Sequence, residues 1–276
     1  MFSMLVGISG SGKSTYTKKL NGTIISSDNY REVLLGDVNN QDNNSKIFET
    51  MRKDVINLLE NNKDVIYDAT NLSRKYRLHL LKELKHKFPN ERFECHIIVA
   101  HPYDCIRRQE LRDRKVPKEV IDKQIAMFQV PHKQFEPWDD IKIINNATVH
   151  ISIENYLKRT VGFEQTGKYH KEDLYTHIKA VMDNLKDDEE LSLVAKWHDI
   201  GKLFTRTYKD GNYHFYGHEN VSALLYLCEY GDLETAFLIN MHDVVNQGGR
   251  WYKALNNDYK KKLIKFNKAD KEGSIT

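Results

Sequence analysis

Apolar positions in the first half of the chain fall in short runs separated by longer amphipathic stretches. Residues 2–7 (FSMLVG), 23–27 (TIISS), 64–67 (DVIY) and 93–100 (FECHIIVA) read as strands, and a last strand falls near 141–151. Between them the period lengthens. In residues 45–60, Ile47, Met51, Val55, Leu58 and Leu59 share one helix face. Another helix starts near Lys13, a third covers 73–87 and stops before Pro89, and a charged helical pair flanks Pro117. Alternation of this kind predicts an α/β domain, a mostly parallel sheet with helices on both faces. Beyond about Val161 strand signals fade, the patterns turn helical and histidines become frequent, so an all-α second domain is expected. The boundary falls in 152–162 (SIENYLKRTVG), giving domains at 1–155 and 160–276 with no Pro- or Ser-rich linker between them.

Composition changes this picture little. A chain of 276 residues can bury two cores, and its 40% hydrophobic and 29% charged content is that of a soluble globular protein. A net charge of +3 neither demands a polyanion partner nor argues against one. Cys95, Cys105 and Cys228 form no CxxC pair, and the odd number argues against a disulfide framework and for a reducing cytoplasm. The N-terminal run lacks a basic n-region and leads into a glycine loop, so it reads as a strand and not as a signal peptide. No apolar run reaches the length of a membrane span, so no membrane partner is expected.

The first candidate chemistry is that glycine loop. Gly7-Ile8-Ser9-Gly10-Ser11-Gly12-Lys13-Ser14 fits G-x-x-x-x-G-K-[ST] between a predicted strand and a predicted helix, the context the motif requires. Glycines let backbone N–H groups turn inward around phosphate oxygens, and a helix start, here with Thr15, adds positive potential. Lys13 reaches the β- and γ-phosphates of ATP or another nucleoside triphosphate, and Ser14 holds Mg²⁺. Asp28 and Asp68 each follow a predicted strand, at the sheet edge where ligand-binding groups gather. As a pair they suit a base for an attacking hydroxyl and a group that positions acceptor or metal. Taken singly, each also suits a helix N-cap. Arg108 and Arg112 lie four residues apart in a basic run, so they are expected to share one helix face. Such arginines neutralise charge in phosphoryl transfer, although a charge run is also what a solvated helix carries.

On these residues the stretch 5–145 resembles the kinase module of the polynucleotide 5′-kinases. The similarity rests on the phosphate loop, on Asp28-Asn29-Tyr30-Arg31, on Asp68-Ala69-Thr70-Asn71, and on Arg108 and Arg112 shortly before Val116-Pro117. The resemblance implies that Asp28 is the general base for a 5′-hydroxyl, that Arg31 binds the acceptor phosphate, that Asp68 organises the acceptor site and that Arg112 is a lid arginine. Related small-molecule and tRNA kinases share much of the pattern.

The second half carries His170, His177, His198, His218 and His242. His198-Asp199 ends a helical pattern and is followed by Gly201; at a helix end the backbone can turn both side chains toward one ion. With His177 and Asp270 they make a mixed N/O donor set suited to Mn²⁺, Fe²⁺, Co²⁺, Ni²⁺ or Zn²⁺. Residues 165–272 resemble the HD phosphohydrolase superfamily, with His177, His198-Asp199 and Asp270 as its H…HD…D ligands. The run from Tyr169 to His177 is also similar to HD domains attached to tRNA nucleotidyltransferases, and His170 keeps no assigned role. His218 and His242 fall where two-metal members carry extra histidines. The resemblance then implies that Asp199 bridges two ions, that His218 and His242 hold the second, and that Lys202 contacts the substrate phosphate.

A kinase joined to a phosphoesterase suggests repair of nucleic-acid ends. RNA cleavage leaves a 5′-hydroxyl and a 2′,3′-cyclic or 3′-phosphate, whereas a ligase needs a 5′-phosphate and a free 3′-hydroxyl. Known kinase–phosphatase fusions, some with an HD module in the opposite order, imply that role, with RNA or DNA ends as substrate and an RNA ligase as a following partner. Two rivals stand beside it: a nucleoside or nucleotide kinase fused to a nucleotidase, and a kinase whose HD half is a non-catalytic binding module.

Overall fold

The strand Phe93–Val99 (FECHIIV) is buried along its whole length, as a strand must be when helices cover both faces of its sheet. The computed structural model describes residues 1–38, 43–112, 115–165 and 171–274. The first part runs β1 (Phe2–Val6), α1 (Lys13–Thr17), β2 (Thr23–Ser26), α2 (Ser27–Leu35), α3 (Asn44–Glu60), β3 (Val65–Asp68), α4 (Arg74–Lys87) and β4 (Phe93–Val99). Then come α5 (Pro102–Glu110), α6 (Lys118–Ala126) and β5 (Asp140–Asn145). The five strands form one parallel sheet in the order β2-β3-β1-β4-β5. All strands therefore point the same way, and β1, β2 and β3 deliver the phosphate loop, Asp28 and Asp68 to one edge. Of the predicted helices, residues 45–60 become α3, whose buried side chains are Ile47, Met51, Val55 and Leu59. β5 stops at Asn145, short of the predicted 151.

The rest is helical: α7 (Ile153–Thr160), α8 (Leu174–Asn184), α9 (Glu189–Trp197), α10 (Lys202–Thr205), then α11 (His218–Tyr230), α12 (Leu233–Met241), α13 (Val244–Gln247), α14 (Gly249–Ala254) and α15 (Asn257–Glu272). One feature departs from the all-helical expectation. β6 (Thr207–Lys209) and β7 (Asn212–His214) pair as an antiparallel hairpin. Its turn residues Asp210 and Gly211 have φ of 52° and 79°. Asp-Gly with both residues at positive φ matches the type I′ turn that tight hairpins favour.

Packing divides the chain into two units, Met1–Ala100 with Pro131–Asn146, and His101–Val130 with Ala147–Thr276. Segments 101–130 and 147–155, grouped with the sheet in the sequence reading, thus pack with the helical unit. Within that unit, α6 lies on α11. Asn220 Nδ2 donates to Ala126 O at 2.7 Å, Val130 N–H donates to Asn240 Oδ1 at 3.2 Å, and a Cβ on Gly217 would come within 2.2 Å of Ala126 O. No helix among the described residues is long and apolar enough to cross a membrane.

Candidate active sites

The phosphate loop leaves β1 and closes at α1. Gly10 and Gly12 adopt φ of 84° and 99°, open to glycine without penalty. Gly7 answers a different demand, because a Cβ there would lie 2.4 Å from Ile98 O. Lys13 is buried, and its Nζ donates to Gly7 O and Ile8 O, each at 2.9 Å. The ammonium is thereby held against the loop. Ser14 and Thr15 are exposed in the first turn of α1. Because α1 has only five residues, the loop amides and Lys13 supply more of the positive potential than a helix dipole does. Ser11 Oγ is buried without a hydrogen-bond partner. An unused donor inside a ring of amides fits an anionic occupant such as a nucleotide phosphate. Asn146, on the loop after β5, donates through Nδ2 to Ser11 O at 3.0 Å.

Asp68 is the last residue of β3, and Asp28 lies in the first turn of α2. Neither is a helix cap: Ser26 is the N-cap residue of α2 and Ser73 that of α4. Burial raises the Asp68 pKa above the ordinary carboxylate range; Lys13 opposes the rise and the charge of Asp28 adds to it. Lys13 and Asp28 thus each lie within electrostatic reach of Asp68. The buried Arg31 donates to Asp28 Oδ1 at 3.3 Å and to Asn44 Oδ1 at 2.8 Å. The Asp28 side chain stays 54% exposed, so it is oriented by Arg31 and still open to an incoming hydroxyl.

The support beneath this site has no signature in the local sequence. Asn71, at φ 50°, donates through Nδ2 to Leu5 O at 2.7 Å and ties its loop to β1. Arg77 donates to Asn71 O at 2.9 Å and Leu72 O at 2.8 Å, and makes a bidentate pair with Glu136 at 2.8 and 2.7 Å. Both paired side chains are fully buried, and Trp138 Nε1 donates to Glu136 Oε2 at 3.0 Å. Arg77→Ala strands the Glu136 charge in the interior, so urea denaturation is expected to show a loss of about 3–5 kcal/mol. A loss below about 1 kcal/mol, the value of a surface pair, would show that the pair does not hold this loop.

For the two arginines the structure corrects the expectation of a shared helix face. α5 ends at Glu110, Leu111 is its C-cap residue, and Arg112 N–H turns back to Gln109 O at 3.2 Å. Arg108 lies in the last turn of α5 and Arg112 beyond its end, both within His101–Val130 of the helical unit.

In the helical unit, His177 sits on α8, His198 and Asp199 lie just past the end of α9, His218 opens α11, His242 follows α12, and Asp270 lies on α15. His170 falls outside the described residues. The other six converge on a cavity of about 680 Å³. His177 Nε2 lies 3.4 Å from Asp199 Oδ2 and 3.2 Å from Asp270 Oδ1. His198 Nε2 lies 3.2 and 3.5 Å from the same two oxygens. The other Asp199 oxygen, Oδ1, is 3.1 Å from His218 Nε2, which is 3.3 Å from His242 Nε2. Asp199 therefore offers one oxygen to each of two donor sets, His177–His198–Asp270 and His218–His242, compatible with two ions.

Each imidazole is aimed by its own backbone contact. Nδ1 of His198, His218 and His242 faces a carbonyl three residues earlier, Ala195 O at 2.7 Å, Phe215 O at 2.8 Å and Ile239 O at 2.8 Å; His177 Nδ1 faces Gly273 O at 3.4 Å. A proton on Nδ1 leaves the Nε2 lone pair for the cavity, the tautomer a metal ligand needs. The His177 and His198 Nε2 atoms lie 3.3 Å apart, within hydrogen-bond distance. Burial alone would lower His198, but Asp199 and Asp270 outweigh it and raise its pKa to about 10. Asp199 and Asp270 likewise outweigh burial to raise His177, and Asp199 with Glu219 does so for His218, whereas burial lowers His242. Burial would also raise Asp199, yet His198 and Lys202 hold it well below the carboxylate range. Binding of a divalent ion displaces protons from such ligands. Lys202 Nζ lies 2.7 Å from Asp199 Oδ2 and donates to the buried Gln165 Oε1 at 3.0 Å. Gly201 lets the turn close, since a Cβ there would meet His218 O at 2.0 Å.

Residues 3–131 match the model of a protein family described as an AAA domain. The match takes in the phosphate loop, Asp28, Arg31, Asp68, Arg108 and Arg112, and with the parallel sheet it defines a P-loop, kinase-like nucleotide-binding domain followed by a helical region. Among solved structures, the chain is similar to a chain of the Pnkp1/Rnl/Hen1 RNA repair complex, with 24% sequence identity and a TM-score of 0.39. That likeness covers 46% of this chain, and this chain spans 43% of that one.

Proposed function

We propose that this chain is a bifunctional end-healing enzyme. Its kinase site transfers the γ-phosphate of ATP to the 5′-hydroxyl of a polynucleotide, and its helical unit removes a 3′- or 2′,3′-cyclic phosphate. The observation that carries this reading is the presence, in one chain, of a phosphate loop with paired carboxylates and of a carboxylate, Asp199, shared between two histidine pairs.

In the kinase site Lys13 holds the β- and γ-phosphates and Ser14 takes Mg²⁺. Asp28, steered by Arg31, accepts the proton of the attacking hydroxyl. Arg31 also binds the acceptor phosphate, and Asp68 organises the acceptor. Arg108 and Arg112 neutralise charge on the transferring group. In the helical unit His177, His198, Asp199 and Asp270 hold one divalent ion, and Asp199, His218 and His242 hold a second. Ions there supply Lewis acidity for phosphate-ester hydrolysis. Lys202 balances the Asp199 charge and presents its ammonium to the substrate phosphate. The product has the two termini an RNA ligase requires.

The test uses an RNA oligonucleotide with a 5′-hydroxyl and a 2′,3′-cyclic phosphate, incubated with ATP, Mg²⁺ and Mn²⁺ and weighed by mass spectrometry. The expected product carries a new 5′-phosphate and a bare 3′ end. A 5′-phosphorylated product with an intact cyclic phosphate would make the helical unit a binding module. An untouched oligonucleotide, with free nucleosides phosphorylated instead, would make the chain a small-molecule kinase.

A further inference from the structure

The hairpin β6–β7 forms one wall of the ion-binding cavity. Asn212, Tyr213, His214, Phe215 and Tyr216 line it together with the metal-type donors. Tyr213, His214 and Phe215 of this wall are half-buried, but Tyr216 is 73% exposed, and Tyr208, across the hairpin and outside the cavity lining, is 69% exposed. Their neighbours hold them in order. Tyr216 stacks on His214 with ring planes 7° apart and centroids at 5.4 Å, and Tyr208 meets the edge of Tyr213 at 5.2 Å. Arg206 lies over the rings of Phe163 and Tyr213, at 4.3 and 5.1 Å, and it and Lys209 are exposed. Strands of three residues have no core of their own that requires these tyrosines. Exposed flat rings interleaved with cations, continuous with a phosphate-cleaving cavity, match the chemistry of single-stranded nucleic acid, whose bases stack and whose backbone is anionic. The cavity volume of about 680 Å³ also exceeds what a phosphate group alone would need.

We infer that the hairpin is a base-stacking lip: Tyr216, backed by His214, receives the 3′-terminal nucleobase of the strand whose phosphate enters the ion site, and Tyr208 extends the platform toward the preceding nucleotide. The inference rests on the phosphohydrolase reading above and adds how that site tells a polynucleotide end from any other phosphate ester. Tyr216 is then a specificity residue, whereas Asp199 and its histidines are indifferent to the base.

The test compares the full-length protein with Tyr216→Ala and Tyr216→Phe. Each is assayed on a short 3′-phosphorylated oligonucleotide whose terminal nucleotide carries either a base or none. A second readout is the fluorescence of a terminal 2-aminopurine, quenched on stacking and recorded whether or not hydrolysis occurs. Wild type is expected to prefer the base-bearing end by roughly 5- to 150-fold in kcat/KM, the range of one stacked base. Tyr216→Ala should erase the preference and the quench, mainly through KM, and Tyr216→Phe should keep both. Hydrolysis with the same preference in Tyr216→Ala overturns the lip and leaves the phosphohydrolase standing. Quench without hydrolysis, lost in Tyr216→Ala, overturns the phosphohydrolase and leaves the lip. A wild type that neither quenches nor discriminates overturns the lip outright.

Discussion

Lys13→Ala is expected to lower 5′-phosphorylation by about 10²–10³ in kcat, the range seen when a preorganised charge-stabilising donor is removed. The ammonium is fixed by Gly7 O and Ile8 O inside the loop before any nucleotide arrives, so no reorganisation is needed when phosphate charge develops beside it. Alanine also removes the cation that opposes the rise in the Asp68 pKa, so this carboxylate shifts further toward its neutral form. The effect belongs to transfer alone. Steady-state rates of 5′-phosphorylation and 3′-phosphate hydrolysis, taken on one folded preparation, check it. Equal loss of both would mean that the chain has one active site.

Asp199→Ala should produce the reverse pattern and a larger change in composition. Its two oxygens face different histidine pairs, so one substitution weakens both donor sets and leaves His177, His198, His218 and Lys202 without their shared anion. Loss of a group that merely supports a ligand costs ten- to a hundredfold in metal affinity; loss of the shared ligand should cost more than about a hundredfold. Titration calorimetry with Mn²⁺ and elemental analysis of the dialysed protein measure it. Asp199→Ala is expected to bind neither ion tightly and to lose hydrolysis, whereas His218→Ala should lose only the second ion. If Asp199→Ala kept one tight ion, the carboxylate would belong to a single site.

How much of this was readable beforehand depended on distance along the chain. The strands announced themselves because a strand buried on both faces, such as FECHIIV, is mostly apolar, and its two buried polar residues, Glu94 and His96, bond to each other at 3.0 Å. The phosphate loop did so because its chemistry needs glycines at fixed offsets. The histidines and Asp199 were found through a family pattern, but the carbonyls that aim them, from Ala195, Phe215 and Ile239, are products of helix ends and have no residue signature. Long-range partners were out of reach for the same reason. Glu136 is 59 residues from Arg77, and Asn146 is 135 from Ser11. The hairpin was missed although its turn is an Asp-Gly, since its three-residue strands are too short to show alternation. The pairing of Arg108 with Arg112 failed because spacing on a helix says nothing once the helix has ended.

The docking of α6 on α11 has a bearing on how this protein can be taken apart. The sequence similarity to kinase-like domains runs to residue 131, yet residues 118–130 are bonded to Asn220 and Asn240 and pressed against Gly217. A cut between residues 155 and 160 would not release two modules. It would separate α6, whose buried side chains are Ile121 and Ile125, from α11 on the other fragment. The two packing units are interleaved in the chain, so a gene fission that kept both would have to pass its break elsewhere.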